Sequence, residues 1–134
     1  MGLDWIVYQY VNGDEVNVDW DGYYRGKGVA YDKNIRKLDE IDTFKDVSNA
    51  CYGDENNIRK IKGDDGEEEI RNFIMTSEQK QLVESAIQHV LDLPEEQIDT
   101  DEQPYEQWRK WMEGALKFLK YVDYEKDYYI WCWW

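Results

Sequence analysis

Residues 76–91 read TSEQKQLVESAIQHVL, and they decide the fold class. Leu82, Val83, Ala86, Ile87, Val90 and Leu91 recur at three- and four-residue intervals, which aligns them along one side of an α-helix. Thr76 precedes Gln79 by the spacing of a reciprocal cap, and Pro94 stops the helix. A second helical pattern follows from Pro104, where Tyr105, Trp108, Trp111, Met112, Ala115, Leu116, Leu119 and Val122 make a wide apolar face. Glu106 with Lys110 and Glu113 with Lys117 are ordered to support it as i,i+4 pairs. Two such faces need an apolar partner surface, and the flanking sequence offers strands.

Tyr128-Tyr129-Ile130-Trp131-Cys132-Trp133-Trp134 is too short and too β-prone for a helix, so it reads as a strand paired within a sheet; left unpaired it would invite aggregation. At the other end, Leu3 to Val11 alternates with period two. Asn12-Gly13 suits a tight hairpin turn, and Val16 to Trp20 alternates again as the returning strand. Ile58 to Lys62 and Glu68 to Met75, around the turn 63–66, predict a second hairpin. A short helix is expected near 43–51 with Thr43 as its cap, while 33–41 fits no single pattern. With no repeat or low-complexity linker, the expectation is one α+β domain over residues 1–134. A small, mainly antiparallel sheet, with an N-terminal hairpin and a C-terminal strand, packs against two C-terminal helices.

The 134 residues suffice for one core, and 16% aromatics with seven Trp and eleven Tyr exclude a disordered acidic tail. No apolar run nears the roughly 18 residues of a membrane span. Met1 to Trp5 lacks a basic stretch followed by an apolar one, and Ile6 breaks the myristoylation pattern, so neither a signal peptide nor N-myristoylation is expected. Cys51 and Cys132 are too few for a disulfide framework, which points to two semi-buried thiols in a reduced, cytoplasmic interior.

The formal charge of −14 is unevenly spread: residues 1–24 carry −5, residues 25–62 carry +2, and residues 63–134 carry −11. Such a field disfavours direct binding to nucleic acid or anionic membranes, and leaves the middle third as the place for an anionic ligand.

Within that third, Arg25-Gly26-Lys27-Gly28 reads as a basic glycine loop. Glycines let backbone N–H groups form an anion-binding nest, two cations complement a phosphate, and Tyr23, Tyr24 and Tyr31 are placed to stack on a ring. The spacing is neither a P-loop nor a dinucleotide fingerprint. The bland reading is a flexible turn whose cations neutralise neighbouring acids.

The second pointed feature is the row Asp92, Glu95, Glu96, Asp99, Asp101 and Glu102, continuing to Glu106 without a base, with further acids at 64–69. Part of the row stabilises a helix N-terminus; presented to solvent, it would imitate a phosphate track for a basic protein surface.

Other constellations are weaker. His89 falls on the polar side of its helix, and one His with two distant Cys gives no local zinc spacing. Asn17 to Gly22 resembles the front half of a calcium loop, but Arg25 and Gly28 stand where ligands belong. Neither a cofactor, a metal nor a catalytic centre is expected. Trp108, Trp111, Trp131, Trp133 and Trp134 read mainly as core. A terminal strand with aromatics on both faces buries both only if something covers the second; otherwise it is a partner or homo-oligomer surface.

The opening MGLDWIVY (1–8), the segment YYRGKGVAYD (23–32) and CYG (51–53) resemble small uncharacterised proteins encoded by phages and other large DNA viruses. The resemblance implies a viral setting inside a host cell, where small acidic proteins inhibit host factors or sequester signalling nucleotides; it transfers no catalytic residue. Two non-enzymatic functions are therefore expected. The first is charge mimicry against a basic or nucleic-acid-binding protein through residues 92–106 and 64–69. The alternative is a module holding a phosphate-bearing small molecule on Arg25 and Lys27.

Overall fold

The computed structural model describes residues 2–11, 14–17, 24–57, 59–63, 66–70 and 73–134. The chain builds an α+β fold in which a small antiparallel sheet packs against two long C-terminal helices. Strand β1 (Asp4–Val11) pairs with β2 (Asp14–Asn17), with Val11 opposite Asp14. The returning strand therefore starts two residues before the expected Val16; the Asn12-Gly13 turn and residues 18–20 lie outside the described residues.

Strands β3 (Arg59–Gly63) and β4 (Gly66–Ile70) form the second hairpin, apart from the main sheet. The predicted partner strand ends at Ile70, and Ile74–Met75 forms β5 in the main sheet. Tyr128–Trp133 is β6, set between β1 and β5 in the order β2-β1-β6-β5. Each β6 residue faces β1, from Tyr128 against Gln9 to Trp133 against Asp4, and Cys132 N–H donates to Phe73 O at 2.9 Å on the other side. Both edges of the aromatic strand are thus used.

Alternation along β6 sorts its residues. Ile130 and Cys132 face the helices, Tyr129 is buried in a smaller cluster with Ile74, and Trp131 is half-buried against Tyr8. Trp133 and Trp134 are exposed, contrary to the expected core role.

Helices α4 (Ser77–Leu91) and α5 (Tyr105–Tyr121) follow the sequence pattern. The Thr76 cap forms as expected: its Oγ1 accepts from Gln79 N–H at 3.1 Å, and Gln79 Oε1 accepts from Thr76 N–H at 2.9 Å. Pro104 stands just before α5 rather than in its first turn. On α5, Arg109 pairs with Glu113 at 2.8 Å, while Glu106 and Lys110 form no ion pair among the described residues. No helix among these residues is long and apolar enough to cross a membrane.

Three short helices occupy the middle third. Lys27–Ala30 is α1, Lys33–Leu38 is α2 and Val47–Ala50 is α3. Of the undecided stretch 33–41, Lys33–Leu38 is helical, started by Asp32, whose Oδ1 accepts from Asn34 N–H at 2.9 Å and Ile35 N–H at 3.0 Å. The helix expected over 43–51 is cut short. Thr43 lies within a 3-10 turn, Asp42–Phe44, and Asp46, at φ +67°, reverses the chain before α3. His89 is half-buried against the Phe44 ring.

The core joins Leu3, Trp5 and Val7 to Ile130 and Cys132 from the sheet, and to Ile87, Trp108, Met112, Phe118 and Leu119 from the helices. Both cysteines are free and fully buried, not semi-buried: Cys51 Sγ–H donates to Val47 O, and Cys51 O accepts from Trp5 Nε1 and, at 3.7 Å, from Cys132 Sγ. Burial raises both thiols above their ordinary value of 9.0, and raises the Tyr24 phenol from 10.0 to about 12. The folded chain holds these protons longer than the unfolded one. Stability from this source is therefore complete below the unfolded values and falls as pH rises past them. Chemical denaturation at pH 7 and at about pH 10 is expected to show a loss on the order of 3 kcal/mol. Equal stability at the two values would contradict the burial of these groups.

Candidate functional site

Construction of the site begins at Trp5. Its backbone exchanges two hydrogen bonds with Tyr24, of 2.6 and 2.7 Å, which fixes the chain beside β1. Lys27 N–H then donates to Leu3 O at 3.2 Å as α1 starts. A Cβ on Gly26 would sit 2.3 Å from the Trp5 ring, so glycine alone lets the chain cross the buried indole. A Cβ on Gly28 would sit 2.6 Å from Trp111, so the Trp111 ring rests directly on the α1 backbone. Lys27 and Gly28 of the expected glycine loop thus begin helix α1, with Gly26 just before it, and both glycines are closely fitted against rings.

Over this turn lies a cleft of about 330 Å³, lined by Arg25, Lys27, Gly28, Tyr31, Asp32, Glu102, Gln103 and Trp111. Its base is polar and rigid. Asp32 Oδ2 accepts from Trp108 Nε1 at 2.9 Å while Oδ1 caps α2. Burial raises the Asp32 carboxyl above its ordinary range, opposed by hydrogen bonds from the Ile35 backbone, the Trp108 indole and Asn34. Next to the cleft, the segment that leads to Glu102 and Gln103 is tied to α2 by Asn34, a buried amide. Its Nδ2 donates to Asp99 O at 3.1 Å and its Oδ1 accepts from Asp99 N–H at 2.8 Å. Lys33 approaches Glu102 to 3.7 Å.

Arg25 and Lys27 are exposed and form no ion pair among the described residues. Tyr31 and Trp111 are 51% and 45% exposed. The cleft therefore brings two cations without ion pairs among the described residues together with two exposed rings and the carboxylates of Asp32 and Glu102.

Arg25, Lys27, Gly28 and Tyr31 of the expected site line this one cleft. Gly26 is buried beneath them. Tyr24 turns inward, stacking on Trp5 at 5.9 Å and donating its hydroxyl to Trp111 O at 2.8 Å, so it offers no face to a ligand. Tyr23 and most of the calcium-like segment 17–22 lie outside the described residues. Trp111, Asp32 and Gln103 were not foreseen here. Trp111 shares a helical stripe with core residues, and its role depends on Gly28, far away in sequence.

The acidic row divides. Asp92, Glu95 and Glu96 are exposed and without ion pairs among the described residues, although Asp92 accepts from Gln88 at 2.9 Å. Asp99 is engaged through its backbone by Asn34 and caps Asp101 N–H at 3.0 Å, and Glu102 turns to the cleft and Lys33. Of the acids at 64–69, residues 64–65 lie outside the described residues.

The two glycines separate two roles. Gly26→Ala is expected to cost about 1–3 kcal/mol, because the buried Trp5 ring cannot yield. Gly28→Ala is expected to cost less than about 1 kcal/mol, since Trp111 can lift into solvent and alanine favours the helix. It should nevertheless move the Trp111 indole resonance. Denaturation curves and a nitrogen–proton spectrum of both variants check this, and the reverse order of stabilities would contradict it.

Comparison of the chain with protein-family models, curated proteins and solved structures returned no match. Fold and site define an α+β domain with a surface cleft that joins aromatic rings to cations and carboxylates.

Proposed function

We propose that the protein is a binding module for a small anionic ligand that carries an aromatic ring, of the nucleotide class. The observation that carries this reading is the meeting of Arg25 and Lys27 with the exposed rings of Tyr31 and Trp111 around one cleft of about 330 Å³. That volume falls in the range of small-ligand sites, at its lower end. Guanidinium and ammonium groups bind phosphate oxygens, and ring faces stack on a base. The Gln103 amide and the Asp32 carboxyl, at the same cleft, supply hydrogen-bonding groups for the ring edge. A thermal-shift screen against nucleosides, their mono- and diphosphates and inorganic phosphate tests the reading. Nucleotides are expected to raise the melting temperature by several degrees, and nucleosides or phosphate alone far less. No stabilisation by any nucleotide would overturn it.

A second reading rests on Asp92, Glu95 and Glu96, which remain exposed beyond the cleft. They suit a basic protein surface, with affinity that falls steeply as salt rises. A low-salt pull-down, repeated with Glu95→Lys/Glu96→Lys, tests it; capture unaffected by the charge reversal would remove its support.

A further inference from the structure

Ring contacts continue beyond the cleft from Tyr31. The Tyr31 ring meets Tyr52 edge-on at 6.4 Å, Tyr52 meets Trp134 edge-on at 5.6 Å, and Trp134 stacks on Phe73 at 4.1 Å and 14°. This aromatic row leads from the cleft rim across the surface, with Trp134 42% exposed. The Arg36 guanidinium sits 5.4 Å over the Tyr31 ring, so cations stand at the junction as well as in the cleft.

We infer that the site takes a ligand of two rings joined through a phosphate, a dinucleotide, with one base on Trp111 and the second on the Tyr52–Trp134 surface. The inference rests on the reading of the cleft as a nucleotide site and extends it. The adjacency of these groups supports it: Trp111, Arg25, Lys27 and Tyr31 share one cleft, Arg36 lies over Tyr31, and Tyr31 leads by ring contacts to Tyr52 and Trp134. A base stacked on an aromatic side chain contributes enough to raise affinity roughly tenfold or more. The −14 charge sets the upper limit, because each further phosphate is repelled by the rest of the surface.

Calorimetric titration of the full chain with an adenylate mononucleotide, dinucleotide and trinucleotide tests this. The dinucleotide is expected to bind about tenfold more tightly than the mononucleotide, and the trinucleotide no more tightly than the dinucleotide. Tyr52→Ala and Trp134→Ala, with folding checked by thermal melting, should remove the gain and leave mononucleotide affinity unchanged. If the mononucleotide binds and the dinucleotide binds no better, the inference falls and the one-ring reading stands. If neither binds, both fall. Affinity that climbs again with the third nucleotide would contradict the two-ring limit. The comparison in the unmutated chain decides the matter even if a variant fails to fold.

Discussion

Replacing Trp5 with alanine is expected to cost about 3–5 kcal/mol, the upper range for truncating a buried aromatic. The indole is fully buried, packs against the rings of Tyr24 at 5.9 Å and Phe118 at 6.1 Å, and donates Nε1–H to Cys51 O at 2.8 Å. It also forms the surface that Gly26 crosses, so its loss leaves a cavity under the turn that carries Arg25 and Lys27. Against a total stability of about 5–15 kcal/mol for a domain, such a loss is severe. Trp5→Phe keeps most of the ring and drops the donor. It should cost about 1–3 kcal/mol, the expense of a poorly satisfied buried carbonyl. Urea midpoints of the three proteins check the order. A cost below about 1 kcal/mol for the alanine variant would mean that Trp5 does not hold the sheet to the helices.

The second large effect concerns binding. Arg25→Ala/Lys27→Ala is expected to weaken nucleotide affinity by about a hundredfold or more, since each charge-assisted contact contributes about 1.5–3 kcal/mol. Both side chains are exposed and without ion pairs among the described residues, so the folded state should change little. The conservative Arg25→Lys keeps the charge and loses the planar fork, and should recover part of the affinity. Titration of the three proteins at fixed ionic strength measures this. Unaltered affinity in the double variant would place the ligand elsewhere.

The legible parts of this chain are those where local pattern and burial agree. The stripe from Leu82 to Leu91 and the Thr76–Gln79 cap fix α4, and the wide face after Pro104 fixes α5. Alternation and β-propensity place the terminal strand, though not which of its tryptophans lie inside: that depends on which sheet face packs on the helices. Residues 26–30 defeat local reasoning because two glycines in five residues argue against a helix. They are required by rings distant in sequence, Trp5 below and Trp111 above. For the same reason Arg25, Lys27 and Tyr31 stand together in the sequence, while Trp111 and Gln103, which line the same cleft, are distant from them. Asp32 reads locally as a helix cap and spatially as part of the cleft, and Glu102 of the acidic row lines the same cleft as Arg25 and Lys27.

The most direct test follows the seven tryptophan indole resonances of the chain in nitrogen–proton spectra during titration with an adenylate mononucleotide, with Trp111 assigned through Trp111→Phe. The Trp111 resonance is predicted to shift progressively and to saturate, while that of buried Trp5 stays in place. A Trp111 resonance that remains fixed at saturating nucleotide would contradict the assignment of the cleft as the binding site.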